Sequence, residues 1–299
     1  MAFQIGTSSG HVSLMNDLIT FLIAQSWTVE KDEVIGSNRF VYFKGPDILT
    51  GTITINSHVN VRLYESTIAD YYNWEIKGAI GFDANESYYT QPQTSPNLAN
   101  NRPQMPLYQN AIDYWFVANN RRFIVIAKVS TVFTSMYGGF ILPYATPREY
   151  PYPIFIGATT GVQNFRFSKD NYSVGGFYDP SIGAAYIRHF DGSWLNCGNY
   201  KDIAGNKTRS PGAAYIWPYR SGYHGGIINN IDGSYTLLPC VVLSRLNDGN
   251  VYGELDGVFA CSGFANSAEN TVTINSVTYV VIQTVNRTNI DDYVCIRLQ

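Results

Sequence analysis

Apolar positions recur along the chain at two different periods. In residues 9–27, SGHVSLMNDLITFLIAQSW, a stripe runs through Met15, Leu18, Leu22 and Trp27, widened by Leu14 and Phe21. Steps of three and four residues predict one amphipathic helix. A hydroxyl from Thr7, Ser8 or Ser9 is placed to cap its start by accepting a backbone N–H that has no partner inside the helix. Beyond the helix the pattern becomes strand-like, with strands expected at 39–44 (RFVYFK), 52–64 (TITINSHVNVRLY) and 72–77 (YNWEIK). The clearest hairpin signal is IDYWFVANNRRFIVIAKV, residues 112–129. Its two strand-like runs flank Asn119-Asn120, and Asn tolerates the positive φ of a two-residue turn. Residues 270–283 repeat the design around Asn275-Ser276, and 279–285 should pair with 293–298 across NRTNIDD. The expected class is α+β: mainly antiparallel β-sheet or sandwich, with one prominent N-terminal amphipathic helix.

Two stretches have no period. Residues 84–106, ANESYYTQPQTSPNLANNRPQMP, hold four prolines, and a loop of that length in a compact protein usually has a task or is disordered. Residues 142–153, LPYATPREYPYP, read as a link. They divide the chain into an N-terminal α+β region, 1–158, and a mostly β region, 159–299, unless the two form one continuous domain.

Composition changes the picture in one respect. Of 299 residues, 45% are apolar, enough for a core, yet only 14% are charged, against roughly 25% in an average soluble protein. There are 23 Tyr, 16 Phe and 5 Trp. Interface cores lose Lys, Glu and Asp and gain aromatics, although β-rich proteins carry many aromatics for packing alone. The net charge of −3 supplies no basic field for nucleic acid. No segment approaches the ~18 apolar residues of a membrane span, and the apolar run at 14–23 lacks the basic flank of a secretory signal. Cys197, Cys240, Cys261 and Cys295 form no C-x-x-C and are expected to be small buried hydrophobes in a reducing cytoplasm.

Candidate chemistry is thin. Gly6-Thr7-Ser8-Ser9-Gly10 fits the G-x-S-x-G pattern of a nucleophile elbow, but an elbow needs a buried strand ahead of the serine. With only five residues before Gly6, the stretch is expected to be a flexible lead-in and cap. Glu254 and Asp256 share a strand face roughly 6–7 Å apart, a separation open to glycoside hydrolysis. Side by side before Gly257 they look more like a solvated turn or strand edge. His11, His58, His189 and His224 are dispersed, and Asp248-Gly-Asn250 lacks the later ligands of a calcium loop. No phosphate-cradling glycine motif is present. The expectation is therefore no catalytic residue, metal or cofactor, and no enzyme.

Three stretches, 113–158, 232–239 (DGSYTLLP) and 252–298, together with the helix leading to Ser26-Trp27-Thr28-Val29, resemble virion structural proteins of tailed bacteriophages. The resemblance spans nearly the whole chain and implies no catalytic residues. It implies a non-enzymatic subunit, tail- or baseplate-associated, assembled in the host cytoplasm into a virion. The partners would be copies of itself and other phage structural proteins about a threefold or sixfold axis, without nucleic acid. A neck, collar or head position is the alternative. Within the 84–106 loop, Tyr88, Tyr89, Pro92, Arg102, Pro103 and Pro106 are then candidate contacts to a neighbouring subunit. Two rivals remain: a host-adsorption module binding surface glycan through Tyr88, Tyr89 and Trp194, and a hydrolase using Ser8 or the Glu254/Asp256 pair.

Overall fold

The chain begins with a strand, β1 (Ala2–Ser8), and bends through Ser9-Gly10 into helix α1 (His11–Ala24). A computed structural model describes residues 1–50, 52–98, 101–168, 174–181, 183–198, 214–219, 236–244 and 250–299. Strands β2 (Thr28–Ile35), β3 (Asn38–Lys44), β4 (Ile48–Thr50), β5 (Ile53–Ile55), β6 (His58–Ser66), β7 (Tyr71–Ala79) and β8 (Gln104–Leu107) follow. Next come β9 (Ile112–Ala118), β10 (Arg122–Val129), β11 (Val132–Phe140), β12 (Leu142–Pro143), β13 (Ile154–Ala158), β14 (Ala185–Arg188) and β15 (Trp194–Asn196). The chain closes with β16 (Ala214–Trp217), β17 (Leu238–Ser244), β18 (Val251–Cys261), β19 (Thr271–Ile274), β20 (Val277–Gln283) and β21 (Tyr293–Arg297).

These strands stack in three layers. The central sheet runs β1-β9-β10-β11-β13-β14-β15, every neighbour antiparallel. On one side lie α1 and the sheet β2-β3-β6-β7-β8; on the other lies β16-β17-β18-β21-β20-β19, with β12 beside β18. Both faces of the central sheet are covered, so its strands read as continuous apolar runs rather than alternating ones. In β10, Phe123, Val125 and Ala127 face the helix-side core, while Ile124 and Ile126 face the other. The two layers approach closely where β11 carries Gly138: a Cβ there would stand 2.7 Å from Val59 Cγ1 and 3.0 Å from Ile76 Cδ1. The central sheet crosses the 158/159 division without interruption, since β13 pairs with β14.

The architecture is the β-rich α+β fold expected from the pattern, with one helix among the described residues. Leu14, Met15, Leu18, Phe21, Leu22 and Trp27 are all buried. The helix is shorter than 9–27: Ser26 adopts φ 66° and the Trp27 amide returns to the Leu22 carbonyl, closing it. Gly10 is the N-cap and makes no side-chain bond, so the hydroxyl cap expected from Thr7–Ser9 is not formed. Residues 6–8 are held in β1, which corrects the flexible lead-in. Residues 52–64 form two strands rather than one, broken at Asn56-Ser57. The Asn275-Ser276 turn has positive φ at both residues (51° and 65°) as a two-residue hairpin requires, and β20 pairs with β21. The 112–129 hairpin forms with a longer turn. Asn119 closes it through its side chain, whose Oδ1 accepts the Arg121 and Arg122 amides at 2.8 and 3.1 Å.

Candidate functional site

Three groups of polar side chains stand where function was sought. The first is the β1–α1 junction. A strand, a bend and a helix do frame GTSSG, but the strand lies at the edge of an antiparallel sheet. Ser8 is buried and its hydroxyl donates to the Asp17 carboxylate, not to an imidazole. His11 Nε2 lies 2.5 Å from Glu65 Oε2, with its ring 5.4 Å from that of Tyr72. Burial pushes the His11 imidazole below its usual value, the hydrogen bond and charge of Glu65 opposing. Its buried Nδ1 has no partner. The serine–histidine hydrogen bond that would activate a nucleophile is therefore not made here.

The second group holds the proposed acid pair. Asp256 is not on a solvated turn: it is 7% exposed and held by groups of the β9–β10 hairpin in the central sheet. Its Oδ2 accepts Asn119 Nδ2 at 2.6 Å and lies 3.8 Å from Arg122 Nε. Arg122 is fully buried and donates to the carbonyls of Asp256 (2.9 Å) and Val117 (3.2 Å). Glu254 is half-buried, and among the described residues its carboxylate receives a long bond from the Tyr144 hydroxyl, 3.4 Å. Asp256 thus ties the β9–β10 turn to β18.

The third group lies beneath the segment that contains the candidate interface residues. On β3, β6 and β7, side chains alternate between the core and the outer face of the sheet. Val41, Phe43, Val59, Val61, Trp74 and Ile76 point into the core, leaving Phe40, Tyr42, Asn60, Arg62, Glu75 and Lys77 outside. Residues 82–98 fold across that outer face. The Tyr88 ring packs on Phe40 and Tyr42 at 5.4 and 6.4 Å, and its hydroxyl donates to the Glu75 carbonyl at 2.9 Å. The Gln91 side chain staples the segment to itself: Nε2 donates to the Asp83 and Glu86 carbonyls, and Oε1 accepts the Asp83 amide.

Charge fixes the rest. The Glu75 carboxylate is fully buried, and its Oε2 takes Arg62 at 3.2 Å and Arg102 at 3.5 Å. Arg62 also donates to the Tyr89 hydroxyl at 2.7 Å, and the Arg102 guanidinium sits 5.1 Å from the Tyr89 ring centre. Lys77, 1% exposed, donates to the carbonyls of Ser95 (2.7 Å) and Pro96 (3.0 Å). Burial lowers its ammonium to about 8, although Glu75 opposes the shift.

The six candidate interface residues therefore divide. Tyr88, Pro103 and Pro106 are buried by the chain itself and present no surface in this conformation; Tyr89, Pro92 and Arg102 keep part of theirs. In this conformation residues 82–98 lie on their own sheet rather than extending from it: Tyr88 packs on Phe40 and Tyr42, and Lys77 donates to the Ser95 and Pro96 carbonyls. Of the proposed sugar platform, Tyr88 is covered and Trp194 is half-buried, its Nε1 donating to the Gln93 carbonyl at 3.0 Å. Arg62, Glu75 and Lys77 were not singled out from the sequence. Their only signal is a period-two polar face, which ordinarily reads as solvent-facing.

All four cysteines are free and buried, and burial pushes the Cys197 and Cys240 thiols up. Among the described residues, no three His, Cys, Asp or Glu side chains gather to hold a metal ion, and no helix is long and apolar enough to cross a membrane. His224 and Asp248 lie outside the described residues. No protein-family model matches the chain, and comparison with curated proteins finds no relative.

Proposed function

We propose that this chain is a non-enzymatic structural subunit of a tailed-phage virion, associated with the tail or baseplate and acting through contacts with other subunits. The observation that carries it is the exterior. Large apolar side chains stand exposed at several sites: Ile68 (98%), Leu49 (76%), Val34 (70%), Phe264 (63%) and Ile35 (59%). In a chain with only 14% charged residues, such positions are inexpensive to desolvate, and their burial against neighbours is favourable at roughly 25 cal/mol per Å² of apolar area. Val34 and Ile35 in the β2–β3 hairpin and Ile68 in the β6–β7 turn come from the same end of one sheet, where β3 begins and β6 ends.

The polar groups that would serve catalysis have structural partners instead. Ser8 is held by Asp17, His11 by Glu65, and Asp256 by Asn119 and Arg122. The likeness of residues 113–158, 232–239 and 252–298 to virion structural proteins supplies the class of assembly. Quantitative mass spectrometry of purified particles tests the proposal. A fixed stoichiometry of several copies per particle is expected; absence from the mature particle removes the proposal.

A further inference from the structure

We propose that the open edge of the central sheet, strand β1, pairs with β1 of a second copy of this chain, antiparallel and centred on Gln4. The setting in a particle rests on the multi-copy function proposed above, but the pairing itself rests on the chemistry of this edge. On its inner side β1 pairs with β9 over seven consecutive residues, Ala2↔Ala118 to Ser8↔Ile112, without a bulge. Its outer side faces no strand among the described residues.

Natural sheets protect such edges with charges, proline, bulges or short length. The other long edge strand among the described residues, β2, has two of these devices: the run Glu30-Lys31-Asp32-Glu33 and a register shift between Val29 and Lys31. Strands β8, β15, β16 and β19 end their sheets too, and each has four residues or fewer. Strand β1, AFQIGTS, is seven residues long and has no charge, proline or bulge. It also exposes Phe3 (42%) and Ile5 (53%) on one face.

A row of main-chain donors and acceptors on a straight edge selects a strand as its occupant. The sequence selects a copy of itself. In a register centred on Gln4, Phe3 of each copy lies opposite Ile5 of the other, and Ala2 lies opposite Gly6. The four apolar side chains then form one continuous stripe on the face that carries Val117 and Trp115, the β9 residues paired with Phe3 and Ile5. Because the strand bears no charge, its antiparallel mate brings no like charges together, the usual penalty of self-pairing. The contact is isologous and joins copies in pairs, leaving other surfaces for contacts about a rotation axis. Two strands bury less than the ~1,200 Å² of a stable specific interface, so the isolated pair is expected to be weak and concentration-dependent.

Disulfide trapping reads the register directly. Directly opposed residues of an antiparallel pair have Cα atoms about 4.5–5.5 Å apart, within the span of a disulfide. Gln4 is exposed and the four natural cysteines are buried, so Gln4→Cys adds a single accessible thiol. Thr7→Cys is the control, because Thr7 is exposed yet would face residue 1 of the mate rather than itself. After mild oxidation of the full chain, non-reducing electrophoresis should give at least about tenfold more covalent dimer for Gln4→Cys than for Thr7→Cys. Adding Ile5→Lys to Gln4→Cys should suppress it. Equal trapping by the two cysteine variants overturns the proposal.

Amide hydrogen exchange of the unaltered protein is the second measurement. Protection of residues 2–8 should rise with protein concentration, and concentration-independent exchange overturns the pairing even if a variant misfolds. The chain present in particles without β1 trapping removes only the pairing; trapping by a chain absent from particles removes only the virion assignment.

Discussion

Replacing Arg122 with Ala tests how the central sheet is joined to the layer behind it. The guanidinium is 0% exposed and spans two layers, meeting the Val117 carbonyl in β9, the Asp256 carbonyl in β18 and, at 3.8 Å, the Asp256 carboxylate. Arg122→Ala leaves that buried carboxylate with Asn119 as its one remaining side-chain partner among the described residues and strips two buried carbonyls of a donor. Breaking a buried pair from one side costs about 3–5 kcal/mol. At about 2.1 cal/mol/K per residue, a chain of 299 residues loses about 1.6 °C of melting temperature per kcal/mol, so a fall of roughly 5–8 °C is expected. Arg122→Met combined with Asp256→Asn removes both charges while keeping most of the volume, and should recover at least half of the loss. Urea unfolding followed by tryptophan fluorescence, with thermal melting alongside, gives both numbers. A single variant within about 1 kcal/mol of the parent, or a double variant no better than the single, refutes the account of Asp256 as a structural tie.

Three other outcomes follow from the same geometry. Because burial lowers the His11 value in the folded chain, the unfolded chain takes up the proton first as pH falls. Stability should therefore decline below about 6.5, and His11→Gln should flatten that decline in urea midpoints measured from pH 8 to 5. Lys77, lowered to about 8 by burial, sheds its proton in the folded chain before the unfolded one does. Stability should gain a component as pH rises from about 8 towards 10, and Lys77→Met should lose that component. Gly138→Ala would drive a methyl to 2.7 Å from Val59 Cγ1, an overpacking cost of about 1–3 kcal/mol readable as a shifted urea midpoint without loss of fold.

Much of the fold was legible because period and turn chemistry agreed. Met15, Leu18 and Leu22 could only share a helix face, and Asn275-Ser276 supplied the positive φ that its hairpin uses. Strand β1 was missed because an edge strand with Phe3 and Ile5 exposed shows no buried pattern, and because Gly6 obscures it. A Cβ on Gly6 would meet the Tyr114 hydroxyl at 2.7 Å, so glycine there marks a ring lying across the strand rather than a flexible lead-in. The candidate interface was less legible. Residues 84–98 have no period because side-chain staples rather than a continuous ladder hold them down: Gln91 on Asp83 and Glu86, Lys77 on Ser95 and Pro96. Residues 104–106, read as part of the same loop, instead enter β8 and pair with β7. Polar residues at every second position of β7 looked solvent-facing, yet Glu75 and Lys77 are buried beneath that segment. Burial of a polar face by the loop that follows it leaves no mark in the spacing of the strand itself.

A cryo-EM map of intact particles is the most direct measurement of what covers this exterior. Several symmetry-related copies are expected, with Val34, Ile35 and Ile68 buried against neighbouring subunits. A particle without the chain, or copies with those side chains facing solvent, would contradict the account.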